Sequence, residues 1–170
     1  MSASCPCVNI CAKHHDKFFK EDLARELREG KYLSSKLLLD VCDDLRDLDD
    51  DGNTPLHLAV MSGNILLFEL VCDTVKKKDP NIVHELNKLG LHCAHFAACD
   101  NSTMMLKILL KYFSFDIDIS DKYRGWSPLQ YALKFHAYNA VMYLMGLQKP
   151  CTIFAEIIYK DDFGKTLFIL

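Results

Sequence analysis

The residues best suited to chemistry by type and spacing form a cluster near the amino terminus. Thiolates and imidazoles are the ligands of most structural zinc sites, and the cluster holds five of them: Cys5, Cys7, Cys11, His14 and His15. Their spacing fits no common zinc pattern, and the segment has no apolar core of its own. We therefore predict that residues 1–15 form a flexible tail without metal, and a zinc-binding or redox function stays open as an alternative.

A second set of reactive side chains is Cys93 and Cys99, which lie close to His92 and His95 in the sequence. A thiolate beside an imidazole could act as a nucleophile. However, these cysteines lie on a short apolar segment, where a reduced cysteine packs as a small hydrophobic side chain. The sequence has no glycine-rich phosphate loop, no His-Glu-x-x-His, no Gly-x-Ser-x-Gly and no paired carboxylates in an apolar setting. We predict that the protein is not an enzyme and has no catalytic site, cofactor or metal.

The strongest cluster of charge is acidic. Residues 40–51 contain seven aspartates, and clustered charge steers association with an oppositely charged surface. The candidates for partner binding are Asp43, Asp44, Asp47, Asp49, Asp50 and Asp51. The alternative is a solvated loop, because aspartate also favours turns.

A repeating frame must position these candidates. Its first copy, Asp-Gly-Asn-Thr-Pro-Leu-His-Leu-Ala-Val at residues 51–60, has a glycine for a tight turn, a threonine suited to a helix N-cap and a proline at the first helical position. Further copies begin after steps of 38, 35 and 39 residues, a period typical of stacked repeat proteins. The residues of the three longer copies are Gly52, Thr54, Pro55, Leu56, His57, Ala59, Gly90, His95, Ala97, Gly125, Pro128, Leu129 and Ala132.

The segment Thr-Pro-Leu-His-x-Ala at residues 54–59 resembles the signature of the ankyrin repeat. The resemblance implies an all-α fold, an ankyrin-repeat solenoid of stacked helix-turn-helix units joined by β-hairpin fingers. In such a fold His57 and His95 are structural, because the ring bonds the backbone of a neighbouring turn. We predict one domain over residues 16–170, composed of a capping repeat with a charged outer face (16–48), repeats over about 49–86, 87–121 and 122–160, and a partial repeat (161–170).

Composition limits the classes of partner. The net charge is −3 with a pI near 6.1, so a nucleic-acid partner is not expected. No apolar run reaches the eighteen residues of a membrane span, and the first residues do not form a signal peptide. Eight cysteines without a secretory signal favour a reducing compartment. We expect a monomer, with weak self-association through the C-terminal end as an alternative.

The small size and the divergent second and fourth frames resemble the IκB-like ankyrin proteins of polydnaviruses, the vankyrins. That resemblance implies a viral mimic of IκB that binds host Rel/NF-κB transcription factors and suppresses immune signalling. It would act in the host cytoplasm, with the nucleus as an alternative. The sequence has neither the Asp-Ser-Gly-x-x-Ser degron nor the acidic, proline-rich tail of IκB. The alternative is an ankyrin adaptor for another host protein, in an apoptosis or ubiquitin-ligase pathway.

The same resemblance suggests which residues would touch the partner. The acidic run would face the basic import segment of a Rel protein, and the finger loops would contact its dimerisation region. The candidates on the fingers are Lys88, Lys122, Tyr123, Arg124 and Trp126. Trp126 could be an exposed anchor or could pack on the neighbouring finger, and the sequence leaves both open.

Overall fold

A computed structural model of the chain describes the backbone of residues 6–114, 116–147, 159–160 and 166–167, and the side chains of residues 17–114 and 116–146. Helices dominate this part of the chain, so the predicted all-α class is confirmed. The helices are α1 (Pro6–Arg28), α2 (Tyr32–Val41), α3 (Pro55–Met61), α4 (Ile65–Lys78), α5 (Cys93–Cys99), α6 (Thr103–Tyr112), α7 (Pro128–Lys134) and α8 (Tyr138–Leu147). A 3-10 helix spans Pro80–His84, and β1 (Tyr159–Lys160) pairs antiparallel with β2 (Thr166–Leu167).

The chain divides into two compact units, Met1–Lys88 and Leu89–Leu170. In the first unit α1 packs against α2 and α3, while α4 packs against α2 and α3. In the second unit α5 packs against α6 and α7, and α8 packs against α6 and α7. Each unit thus buries its own apolar side chains, among them Leu27 and Phe68 in the first and Leu106 and Leu129 in the second. Buried Ala97 belongs to α5 and buried Ala132 to α7, and side chains this small let two helices approach closely.

Three of the short helices begin in one way, because the residue at the third helical position accepts a hydrogen bond from the backbone N–H of the N-cap. The bonds run from Thr54 to Nδ1 of His57 (3.2 Å), from His92 to Nδ1 of His95 (3.0 Å) and from Ser127 to Oε1 of Gln130 (2.9 Å). The first and third of these helices also begin with a proline. The turn before each is made by a glycine with positive φ: Gly52 (68°), Gly90 (71°) and Gly125 (69°).

The first helix extends into residues 1–15, the segment predicted to be a flexible tail. α1 begins at Pro6 and ends before Gly30, whose φ is +71°. No glycine or proline lies between Pro6 and Gly30, so nothing in the backbone breaks the helix between the predicted tail and the predicted domain. The side chains of the zinc candidates Cys5, Cys7, Cys11, His14 and His15 lie outside the described residues. Among the side chains that the structure describes, no group of three could hold a metal ion.

The connections between helix pairs differ from the predicted β-hairpin fingers. One cross-loop backbone hydrogen bond closes the loop before α3, from Leu48 N to Asn53 O (2.9 Å), and one closes the loop before α7, from Asp121 N to Trp126 O (2.9 Å). Neither loop forms a strand in its described residues. The pairing cannot extend outward because the next residues that would pair are Pro55 and Pro128, which begin α3 and α7 and have no backbone N–H to donate.

No helix in the described ranges is both long enough and apolar enough to span a bilayer.

Candidate protein-binding surfaces

The acidic loop, residues 42–54, is organised by Asp49. Its Oδ1 accepts hydrogen bonds from Asn53 N (2.8 Å) and Asp51 N (3.1 Å). Its Oδ2 accepts from Asn53 Nδ2 (2.9 Å) and from the guanidinium of Arg28 (2.7 Å). The Asp49 side chain is only 12% exposed. Asp49, a predicted contact residue, therefore holds the loop together from inside.

Asp44 is also engaged within the first unit. Its carboxylate pairs with Lys20 Nζ at 2.6 Å and accepts from Arg46 N at 3.1 Å. Partial burial by itself would raise the pKa of Asp44, but the hydrogen bonds from Lys20 and from Arg46 N outweigh it, so the pKa is lowered. The exposed aspartates of the predicted set are then Asp43, Asp47, Asp50 and Asp51, together with the exposed but paired Asp44.

Lys88 braces the acidic loop. Its backbone N–H donates to Asp51 O (2.9 Å) and its ammonium donates to Asp50 O (2.7 Å). Beside it, buried Asn87 donates through Nδ2 to Oδ1 of buried Asn53 at 3.0 Å. Lys88 is one of the predicted partner contacts on the fingers, and the structure gives it these bonds to the loop backbone.

Sequence reasoning missed Arg46, the one cation inside the acidic run. Its guanidinium pairs with Asp79 (2.6 Å) and Glu85 (3.2 Å), the residues on either side of the 3-10 helix. The sequence contained a signal for this role, because a single arginine within a run of aspartates is suited to form ion pairs that attach the loop to another element. Together with Lys20, Arg28 and Lys88 it fixes the loop from several directions.

The loop before α7 is organised by Asp121, which is 5% exposed. Its carboxylate accepts from the backbone N–H groups of Arg124 (2.6 Å), Tyr123 (2.8 Å) and Trp126 (3.3 Å), and from the hydroxyl of Tyr131 (3.0 Å). Burial would raise the pKa of Asp121, but these donors outweigh it and lower the pKa. Sequence reasoning did not select Asp121. The signal was available, because Asp121 comes four residues before the turn glycine Gly125 and Asp49 comes three residues before Gly52.

Trp126 is half-buried, so neither sequence-based alternative describes it fully. Its ring meets the ring of Tyr131 edge to face, with centroids 5.5 Å apart. The guanidinium of Arg124 lies 5.0 Å from the ring centroid and the ammonium of Lys134 lies 4.9 Å from it. Both distances are within the range of cation–π attraction.

A groove of about 290 Å³ lies beside this cluster in the second unit. We call it the cation–aromatic groove and define it by its lining residues, which are Leu89, Leu91, Asp121, Tyr123, Arg124, Tyr131, Lys134 and Phe135. Three of its apolar side chains are largely exposed: Leu89 by 59%, Tyr123 by 68% and Phe135 by 55%. Lys122, a further predicted contact, is exposed and does not line the groove, but its ammonium lies 5.8 Å from the ring centroid of the lining residue Tyr123.

His95, Cys93 and Cys99 of the second unit have structural roles. Nδ1 of His95 accepts from His92 N, so the proton of the neutral ring sits on Nε2, which donates to Trp126 O at 3.0 Å. Burial lowers the pKa of His95 and keeps the ring neutral. Burial also raises the pKa of Cys93 to about 12 and that of Cys99 to about 11, so both thiols stay protonated at neutral pH. Such thiols are poor nucleophiles.

A family model for ankyrin repeats, described as three copies, matches residues 66–155, more than half of the chain. The chain belongs to the ankyrin-repeat family. The predicted ankyrin-repeat solenoid class is thereby confirmed. The chain is also similar to "Ankyrin repeat protein nuc-2" of Neurospora crassa, with 32% identity over 83 residues, which is 49% of this chain and 7% of that protein. The chain therefore matches only a small part of that relative.

Ankyrin repeats are in general binding scaffolds, so the protein is a protein–protein interaction module. Two surfaces of this ankyrin protein have the chemistry to bind. The acidic loop of the first unit presents carboxylates on a braced backbone, whereas the cation–aromatic groove of the second unit presents cations and apolar side chains.

Proposed function

We propose that this ankyrin-repeat protein is a viral IκB mimic that binds host Rel/NF-κB proteins and retains them in the host cytoplasm. The observation that supports it best is the acidic loop, where Asp43, Asp47, Asp50 and Asp51 are exposed on a backbone held by Asp49. The import segment of a Rel protein is basic and would be attracted to such a surface. Retention would then follow from covering that segment.

The bracing of the loop matters for affinity. A loop that is already ordered loses little conformational entropy on binding, and the contacts of Asp49, Arg46 and Lys88 supply that order before a partner arrives. The exposed carboxylates speed encounter with a basic segment and set the orientation of the complex. The loop is therefore suited to charge-driven recognition.

The first test reverses the exposed charges and leaves the internal one in place. The double variant Asp50→Lys/Asp51→Lys should bind an insect Rel dimer at least about tenfold more weakly at low salt, because two attractions become repulsions. Wild-type binding should weaken as salt rises, and the variant should show a flatter salt dependence. Isothermal titration calorimetry at two salt concentrations measures both.

The matched control is Asp73→Lys/Asp100→Lys, which makes the same change in net charge at two aspartates outside both the acidic loop and the finger loops. It should bind as the wild type does. Asp49 is left unchanged, because its loss would disturb the loop itself. Equal weakening by the two double variants would show that net charge, and not this loop, determines the affinity.

The second test concerns the partner. Purified protein should capture insect Rel dimers in a co-precipitation, and duplex DNA with a κB site should compete with that capture if the protein covers the DNA-binding face. Absence of capture at micromolar concentration would refute the Rel proposal. The assignment as an ankyrin interaction module would stand, and an adaptor for another host protein would become the better hypothesis.

A further inference from the structure

The cation–aromatic groove differs in chemistry from the acidic loop. Exposed Leu89, Tyr123 and Phe135 give it apolar walls, and its volume of about 290 Å³ is at the small end of the range for ligand sites. A space of this size suits one large side chain of a partner better than a whole small molecule. Exposed apolar side chains gathered at one groove are typical of an interaction site.

The cations of the groove are held in place by aromatic rings. Arg124 and Lys134 both lie against the Trp126 ring, at 5.0 and 4.9 Å from its centroid, and Lys122 lies 5.8 Å from the centroid of Tyr123. An arginine or lysine side chain that rests on a ring has fewer conformations to lose when it meets an anion. Arg124 and Lys134 thus line the apolar space, and Lys122 lies beside Tyr123, one of its walls.

The single carboxylate in the lining does not oppose this positive charge directly. Asp121 is buried and accepts four hydrogen bonds, three from loop N–H groups and one from Tyr131. Its oxygens are therefore directed to the loop itself. The surface that a partner meets is positive at its edges and apolar between them.

We propose that the cation–aromatic groove binds an acidic protein segment in which carboxylates flank one large apolar side chain. The apolar side chain would enter between Leu89, Tyr123 and Phe135, and the carboxylates would pair with Arg124 and Lys134. Bidentate pairing makes arginine especially suited to carboxylates. This inference does not depend on the Rel proposal, because it concerns another surface and a partner segment of opposite charge.

A nucleic acid fits the same observations less well. Three cations are few for tracking a phosphate backbone, the chain as a whole is acidic, and much of the lining is aliphatic or phenyl surface that phosphates avoid. A single-stranded oligonucleotide is therefore the competing ligand in the test.

The test starts with peptides displayed on phage. A random twelve-residue library is selected on the full chain and, in parallel, on the double variant Arg124→Glu/Lys134→Glu. The control variant is Lys107→Glu, since Lys107 is a cation of the same unit that lies 5.4 Å from the Tyr143 ring, outside the groove. Circular dichroism melts establish that all variants fold.

Selection on the wild type should enrich peptides with several Asp or Glu residues around one Phe, Trp, Leu or Met. The best peptide should bind at least about tenfold more weakly to Arg124→Glu/Lys134→Glu, and equally to wild type and Lys107→Glu. The proposal is overturned if the enriched peptides lack acidic residues, or if both variants lose affinity alike.

Trp126 provides the direct measurement, because it is the single tryptophan of the sequence. The best peptide, synthesised without tryptophan, should shift or quench its emission in a saturable titration that weakens as salt rises. Replacing the acidic residues of the peptide by their amides, or its apolar residue by alanine, should each weaken binding about tenfold or more. A single-stranded oligonucleotide that saturates the signal at lower concentration than the peptide would assign the groove to nucleic acid and refute the proposal.

Discussion

Asp49 and Asp121 perform the same task in the two units. Each is a partly or fully buried carboxylate that accepts backbone N–H groups of its own loop, from residues 51 and 53 in one case and 123, 124 and 126 in the other. Hydrogen bonds to a charged acceptor are stronger than those between neutral groups. A loop built in this way is ordered without strand pairing.

Alanine substitutions at Gly90 and Gly125 separate two contributions to the unfolding free energy: the strain of a left-handed backbone and the steric overlap of an added Cβ with its neighbours. Their φ angles are +71° and +69°, but a Cβ on Gly90 would lie 2.6 Å from Lys122 Cβ and 3.0 Å from the Tyr123 ring, whereas a Cβ on Gly125 would meet nothing within 4 Å. Both alanine variants should lose about 1–2 kcal/mol from the left-handed backbone. Gly90→Ala should lose about a further 1–3 kcal/mol from overpacking.

Urea unfolding of Gly90→Ala and Gly125→Ala measures that difference. Equal losses of unfolding free energy in the two variants would mean that Lys122 and Tyr123 move aside without cost. In that case the loop that carries Lys122 and Tyr123 would be flexible, even though the hydrogen bonds to Asp121 order its backbone.

At the level of elements, α2 presents two opposite faces. Leu39 is 1% exposed, while Leu33, Leu37 and Val41 are 76%, 69% and 62% exposed and follow each other at a spacing of four residues, along one side of the helix. α1 carries the charged outer face predicted for the capping repeat, with exposed Glu21 among its residues. An apolar outer side on α2 was not predicted.

This arrangement gives a matched pair of substitutions within one helix. Leu39→Ala removes a buried side chain and should lower the unfolding free energy by about 2–5 kcal/mol. Leu37→Ala removes an exposed one and should change it by less than about 0.5 kcal/mol. Thermal or urea unfolding of both proteins provides the comparison, and a large loss in Leu37→Ala would show that this side of α2 is covered in solution.

The elements also show where sequence reasoning succeeds. Thr54-Pro55 and Ser127-Pro128 predict helix starts because N-cap and N1 preferences act within a few residues. Which of the three consecutive leucines 37–39 is buried could not be predicted, because the choice depends on the orientation of α2 against α4. The same limit applies to the acidic loop: Asp49 and Asp50 are neighbours of one type, and only the backbone path decides which one faces the loop interior.

For the whole molecule, acid and base should destabilise the fold through different buried groups. On the acid side, burial lowers the pKa of His95 below its ordinary 6.5, despite nearby Asp121. Protons therefore bind the unfolded state first, and stability present above pH 6.5 is lost as the pH falls through the folded pKa. Asp121, whose ordinary pKa is 3.8 and is lowered in the fold, adds a second loss at lower pH.

On the alkaline side the sign is reversed. The pKa of Cys93 rises from 9.0 to about 12 and that of Cys99 from 9.0 to about 11, both chiefly through burial. The unfolded state then loses protons first, so stability that is complete below pH 9.0 declines as the pH rises above it. The unfolding free energy, measured by urea titration in a reducing buffer, should form a plateau between about pH 6.5 and 9.

Two variants test the acid and the alkaline decline of the unfolding free energy separately. His95→Gln should flatten the decline just below pH 6.5, because glutamine has no proton to gain and Gln130 already accepts from its N-cap with Oε1 in the equivalent position. Cys93→Ala should weaken the decline above pH 9. The contrary result is a His95→Gln variant whose unfolding free energy declines with the wild-type slope between about pH 6.5 and 5. In that case groups other than the buried imidazole of His95 control the onset of acid unfolding.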